Sequence, residues 1–268
     1  MRNDASDPLP SKEDACKLEQ LAFERKTIYG AHALNLFAIL WVMFFLSDLC
    51  FATLSGTFSI WYWTDLKSNV PFFTLLTSFK TIVIYHLGSL AFGSFFLTIV
   101  RFIRIMINFI DRYCRKYEQY LAVKWIKTCL SCCFWCLEVF IRFINRNAYI
   151  YMAMYGTSFL ASARKAFEIL TQNVIRAFVL NYLTSLLLFL SKIFVTAIVG
   201  VTGYFLLTNY FPSIATFDLQ YYWAPLAVFL FLSYVLSGAL FGVYEVAIET
   251  IFFCYRKYYF FHKSIIHY

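Results

Sequence analysis

The chain has 268 residues, of which 61% are hydrophobic and only 14% charged, with a formal net charge of +8. A soluble domain is about 45–50% apolar and about 25% charged, so this chain lacks the charge to cover a water-facing surface, and a lipid environment follows. The basic residues stand in short segments between apolar runs, where they set topology and meet anionic headgroups, so the positive charge does not point to nucleic acid.

Residues 1–28 read as a polar, mixed-charge segment with Pro8 and Pro10. "AHALNLFAILWVMFFLSDLCFATLSG" (31–56) is the first span, its apolar core running from Ala33 to Leu54. At 1.5 Å per residue that is enough for a hydrocarbon layer of about 30 Å. "TFSIWYWTDLKSNVP" (57–71) reads as a loop with an aromatic belt, ending at Pro71. "TIVIYHLGSLAFGSFFLTIV" (81–100) is the second span. Arg101, Arg104, Arg112, Arg115, Lys116, Lys124 and Lys127 follow it against Asp111 and Glu118, which places this segment in the cytosol by charge bias. Residues 129–163 have positive flanks on both sides and read as two passes, a re-entrant unit or interfacial helices. "LTSLLLFLSKIFVTAIVGVTGYFLLT" (183–208) and "WAPLAVFLFLSYVLSGALFGVYEVAIETIFFC" (223–254) are the last two spans. The loop at 209–222 has no Lys or Arg and reads as external; the tail at 256–268 is basic and aromatic and reads as cytosolic. The expected architecture is all-α: a polytopic helical membrane domain over 29–255, with four clear spans plus a re-entrant or additional helical unit. Arg25 and Lys26 place the N-terminus inside, whereas counting spans back from a cytosolic C-terminus places it outside.

Cys129, Cys132, Cys133 and Cys136 crowd into "KTCLSCCFWCLEVF" (127–140). On a helix their spacing of i, i+3, i+4 and i+7 gives one face. Such a stripe packs as small hydrophobes, or accepts lipid by S-palmitoylation at a membrane edge. A zinc knuckle needs a loop between its paired cysteines, and here there is none. No metal site is therefore expected, and the thiols are expected to be free. Glu138 and Arg142, four apart on the same helix, are placed to pair.

Ionisable groups inside apolar runs are functional candidates. Lys192 either snorkels to the inner interface or pairs with Glu245, which lies at a similar depth, about 33 Å along its helix from Trp223. Glu245 and Glu249 stand one turn apart in "VYEVAIET". His86 beside Tyr85 reads as a packing residue or as a gating or proton group. Ser89 with Gly93, and Gly238 with Gly242, form small-xxx-small steps that let helices approach closely. Tyr149, Trp61 and Trp63 anchor at an interface or cage a quaternary ammonium by cation–π attraction. Phosphate loops, zincin motifs, nucleophile elbows and dinucleotide fingerprints are missing, so no enzyme, catalytic residue or cofactor is expected.

"WYW" (61–63), "YHLGSLAFGS" (85–94), "CCFWCLE" (132–138), "NRNAYI" (145–150), "LLLFLSK" (186–192) and "VYEVAIETIFFC" (243–254) come in one order over most of residues 30–254. In these pieces the chain resembles the C-terminal half of the choline transporter-like family of solute carriers. The resemblance implies a family plan of about ten spans with a large extracellular loop after the first, and transport of choline or a related amino alcohol across the plasma membrane, with other organelle membranes as alternatives. It also implies that the cysteine cluster and the NAYI segment form one helical unit. Relative to the family the chain lacks the N-terminal half, and its tail "YRKYYFFHKSIIHY" departs from the family's longer acidic one. Three readings follow. The first is a carrier of a small organic cation, impaired by truncation, with Glu245 as the carboxylate, Tyr149, Trp61 and Trp63 as aromatics and His86 as the gating group. The second is a non-transporting partner or regulator of a full-length relative, docking through Gly238/Gly242 and Ser89/Gly93. The third is an incomplete fragment.

Overall fold

The computed structural model describes residues 12–114, 121–171, 174–207 and 223–266. They form seven helices: α1 (Lys12–Trp63), α2 (Thr74–Tyr85), α3 (Leu87–Cys114), α4 (Leu121–Tyr155), α5 (Phe159–Thr171), α6 (Val174–Phe205) and α7 (Trp223–Ile266), and no strand occurs among the described residues. Five stretches are long and apolar enough to cross a membrane: Thr27–Trp63, Leu87–Phe109, Thr128–Tyr155, Phe178–Phe205 and Trp223–Arg256. An all-helical chain is what lipid demands, because a helix satisfies its backbone polar groups within one segment. The external loop expected at 209–222 and the prolines Pro8 and Pro10 lie outside the described residues.

The helices depart from the sequence reading in three places. α1 starts at Lys12, inside the segment read as polar, and runs on through "TFSIWYW" to Trp63. The second span is cut at His86, whose φ of −126° and ψ of 6° leave the helical region, so 74–85 is a short helix of its own. α7 continues to Ile266, so most of the tail at 256–268 is helical.

The chain divides into two compact units, Met1–Leu46 with Ser94–Glu138, and Ser47–Gly93 with Val139–Tyr268. In the first, α1 and α3 run antiparallel: the Phe37 ring meets Phe102 at 5.4 Å and Trp41 meets Phe95 at 5.7 Å between centroids. These edge-to-face contacts pair the middle of α1 with α3.

The second unit is built on a stripe of small residues on α1. Ala52, Ser55, Gly56 and Ser59 are all buried and recur at i, i+3, i+4 and i+7. In lipid such a stripe lets backbones come close and gain dispersion energy and polar contacts. The Ser78 hydroxyl on α2 donates to the Thr53 carbonyl at 2.9 Å, and a Cβ at Gly56 would run into that hydroxyl. This contact ties α2 to α1. α4 ends at Gly156, whose φ of 65° favours glycine and whose N–H donates to the Met152 carbonyl at 2.8 Å. α5 then runs back along α4, with Phe159 against Tyr149 and Phe167 against Phe140. Its 13 residues reach about 20 Å, short of the roughly 30 Å hydrocarbon layer. The unit at 129–163 is thus a helical hairpin with a short returning arm. α6 and α7 form an antiparallel pair, Gly200 facing Leu230 and Gly203 facing Leu226. Phe194, Phe231, Leu236 and Tyr244 on this pair are exposed.

Candidate functional site

Three spans of the second unit meet in one polar layer. α1 supplies Asp48 and Phe51, α4 supplies Arg146 and Tyr149, and α7 supplies Glu245 and Glu249. Spacings of three or four residues put each pair on one helical face. Tyr149 is fully buried, and its hydroxyl donates to Asp48 Oδ2 at 2.9 Å. Arg146 is clamped on two sides: Nη1 lies 3.2 Å from Glu245 Oε1 and Nε lies 3.2 Å from Glu249 Oε2. Its guanidinium carbon also stands 4.8 Å from the centroid of the Phe51 ring, a cation–π contact. Arg142 and Arg146 act on Asp48 electrostatically, but among the described residues no cation comes within ion-pair distance of it. One carboxylate of the layer is therefore held by a hydroxyl alone, while the other two neutralise the guanidinium.

Gly93 fixes this arrangement from α3. A Cβ there would strike the Tyr149 hydroxyl and come within 2.9 Å of the Phe159 ring. The Gly93 carbonyl accepts from Asn145 Nδ2 at 3.0 Å, so the missing side chain and the backbone both help to seat α4. Ser89, one turn earlier, is half-buried.

The residues expected from the sequence do not all converge. Glu245 and Tyr149 belong to this layer. Trp61 and Trp63 stand at the end of α1, about 20 Å along the helix from Asp48, and both are exposed. There Lys67 Nζ sits 4.5 Å from the Trp61 ring centroid and donates to the Trp61 and Thr64 carbonyls, each at 2.7 Å. This cation completes the carbonyl end of α1. His86 is buried in the break between α2 and α3, beside Gly156, and burial holds its imidazole below the usual histidine range. Lys192 is half-buried on α6, and among the described residues no ion pair joins it to Glu245. Depth along the helices allowed that pair; the face of α7 that carries Glu245 is turned to α4 and Arg146 instead. Gly238 and Gly242 have open space where a Cβ would stand, so their step is unoccupied, unlike that of Gly93. The four cysteines lie on α4 and all are exposed.

Asp48 and Arg146 are the residues of this layer that sequence reasoning missed. Asp48 had a signal, since it is the one charged residue in "AHALNLFAILWVMFFLSDLCFATLSG". Arg146 had none, because it lies in a segment whose crossing was undecided.

Two other polar clusters complete the described interior. In the first unit Glu138 is 4% exposed and receives Arg101 Nη1 at 3.1 and 3.2 Å and Arg104 Nη1 at 2.9 Å. In the second, Arg256 on α7 is 8% exposed and donates through Nη2 to the Ile169 carbonyl at 2.6 Å, closing the carbonyl end of α5. Its Nη1 has no partner among the described residues. Arg256 lines a cavity of about 20 Å³ with Arg146, Asn147, Asn181 and Glu249, room for a single water.

A family model described as plasma-membrane choline transporter matches residues 4–257. Choline transporter-like protein 5 of Xenopus tropicalis is 44% identical over 224 residues, 82% of this chain and 31% of the relative. Choline transporter-like protein 1 of Caenorhabditis elegans is 36% identical over 250 residues, 92% of this chain and 32% of the relative. Choline transporter-like protein 4 of Xenopus laevis is 37% identical over 269 residues, 95% of this chain and 38% of the relative. The chain spans about a third of the length of these curated relatives. Apolar helices carrying a charged layer, and a match running through every helix that builds it, agree: this multi-pass membrane chain belongs to the choline transporter family.

Proposed function

We propose that the chain carries the cation-handling part of a carrier for choline or a related amino alcohol in the plasma membrane. The observation behind this reading is Asp48, a half-buried carboxylate inside a span, held by the Tyr149 hydroxyl and with no cation at ion-pair distance among the described residues. A charge at membrane depth costs about 2.5–3.5 kcal/mol on insertion scales, and an arriving cation offsets that cost. A quaternary ammonium has no N–H to donate, so its recognition rests on a carboxylate's field and on ring faces. The buried Tyr149 fixes Asp48 in place through its hydroxyl. Glu245 and Glu249 take up the charge of Arg146, which would otherwise repel the substrate, so Glu245 acts here as a neutraliser rather than as the direct ligand. Trp61 and Trp63 form an aromatic approach at the end of α1, and His86 marks the break where α2 and α3 could flex.

The test is saturable uptake of labelled choline in cells without endogenous carriers, with surface expression followed in parallel. Uptake by the wild-type chain that is lost in Asp48→Asn, with the protein still at the surface, supports the reading. Equal uptake in Asp48→Asn removes Asp48 from the assignment, and a stable surface protein with no uptake removes transport by this chain alone. A second reading then takes over, that of a partner for a longer relative, favoured by the open Gly238/Gly242 step on α7. Co-purification that is lost in Gly238→Leu would locate that face.

A further inference from the structure

We propose that Cys129, Cys132, Cys133 and Cys136 are an S-acylation site, modified with long-chain fatty acyl groups at the membrane edge of α4. The four thiols are free, all exposed, and share one face of a continuous helix. Exposure removes the alternative in which they pack as a buried stripe. Helical placement spreads the sulfurs along an axis rather than around a centre, and no group of three or more metal-binding side chains is assembled among the described residues. What remains is accessible thiol at a defined depth. The basic residues Lys124 and Lys127 stand just before the cluster in the sequence, so charge puts Cys129 next to the membrane edge, with Cys136 about 10 Å further along the helix.

The surroundings fit the membrane edge. An open recess beside the thiols is lined by Arg104, Asn108, Thr128, Ser131, Cys132 and Trp135. Polar side chains, an arginine and a tryptophan are the lining expected at headgroup depth. Lys124 and Lys127 precede the cluster in the sequence, and the charge bias assigns this end to the cytosol, where acyl-CoA is available and thiols stay reduced. Juxtamembrane cysteines on such helices are the usual acceptors. In the step proposed, a cysteine thiolate attacks the carbonyl carbon of an acyl-CoA. The new S–C bond forms as the bond to the coenzyme A sulfur breaks, and coenzyme A leaves as the thiol carrying the cysteine's proton. No oxidant or reductant is needed. The acyl chain then enters the leaflet beside α4. This modification does not depend on the transport reading.

The test is acyl–PEG exchange on the full chain expressed in cells. Free thiols are blocked with N-ethylmaleimide, thioesters are cleaved with hydroxylamine, and the released thiols are tagged with PEG-maleimide. The expected result is a hydroxylamine-dependent ladder, strongest at Cys129, Cys132 and Cys133 because they are nearest the edge. It should vanish in the quadruple Cys→Ser variant of the cluster. The ladder should persist when Cys16, Cys50, Cys114 and Cys254 are replaced by Ser instead, a control that keeps the cluster intact if the quadruple variant fails to accumulate. A wild-type chain with no hydroxylamine-dependent shift overturns the proposal, as does a ladder that survives in the quadruple variant or disappears in the control.

Discussion

The two units solve the burial of charge in opposite ways. In the first, one carboxylate, Glu138, answers two guanidiniums, Arg101 and Arg104, and is almost wholly enclosed. In the second, one guanidinium, Arg146, is answered by Glu245 and Glu249, and a third carboxylate, Asp48, stays beside the Tyr149 hydroxyl. The first cluster is saturated at its carboxylate and has a surplus of positive charge. In the second, Asp48 has no cation at ion-pair distance, although Arg142 and Arg146 act on it through space. A saturated cluster holds helices together; a carboxylate left over at membrane depth has field to spare for a cation. The same residue types are therefore paired differently, and the count of partners around each carboxylate marks the difference.

The contrast can be broken most severely at the saturated end. Glu138→Gln leaves two part-exposed guanidiniums facing a neutral side chain, a loss of about 1.5–3 kcal/mol as for hydrogen bonds to a charged group. The expected outcome is a clear fall in thermal stability of the detergent-solubilised protein. Asp48→Asn should behave differently, lowering choline affinity by about tenfold to a hundredfold, as for loss of a charged contact worth about 1.5–3 kcal/mol, while the melting temperature stays near wild type. If the stability effects of the two variants were equal, the distinction between the clusters would fail. Next in size is Gly93→Ala, where a Cβ strikes the Tyr149 hydroxyl; overpacking costs about 1–3 kcal/mol, and Gly238→Ala, with open space around it, should cost far less in the same melting assay. Tyr149→Phe removes one hydrogen bond, worth on average about 0.6 kcal/mol between helices in a membrane, so its effect should show in choline affinity before it shows in stability.

The smallest effect is pH-dependent and sits at His86, outside the five spans. Burial lowers its folded pKa below the usual value of about 6.5. The folded state therefore favours the neutral ring, so stability is undiminished above about pH 6.5 and falls as pH drops from there toward the depressed folded value. His86→Gln should flatten that part of the stability–pH curve, which melting across pH 5–8 would measure; an unchanged curve would show that His86 does not set it.

Much of this protein was legible before any coordinates, because composition and apolar run length are properties of the chain. Sixty-one per cent hydrophobic residues leave no soluble option, and run length fixes which segments can cross. The shared helical face of the four cysteines and the Ser89/Gly93 step followed from periodicity, but that the cysteines are exposed rather than packed did not. Partner choice did not. Glu245 sat at the right depth for Lys192, but depth is only one coordinate of a helix, and the rotation of α7 gave Glu245 to Arg146. The equally plain Gly238/Gly242 step is vacant while Gly93 is filled, since a small residue permits close approach without supplying a neighbour. Asp48 was visible as a lone charge in an apolar run, but only its packing against α4 decided that a hydroxyl, rather than a cation, would meet it. The sequence by itself determined the solvent and the spans, because burial in lipid is decided residue by residue. The tertiary structure alone decided which charges are paired and which is left over, because pairing depends on how helices far apart in the chain are turned toward one another.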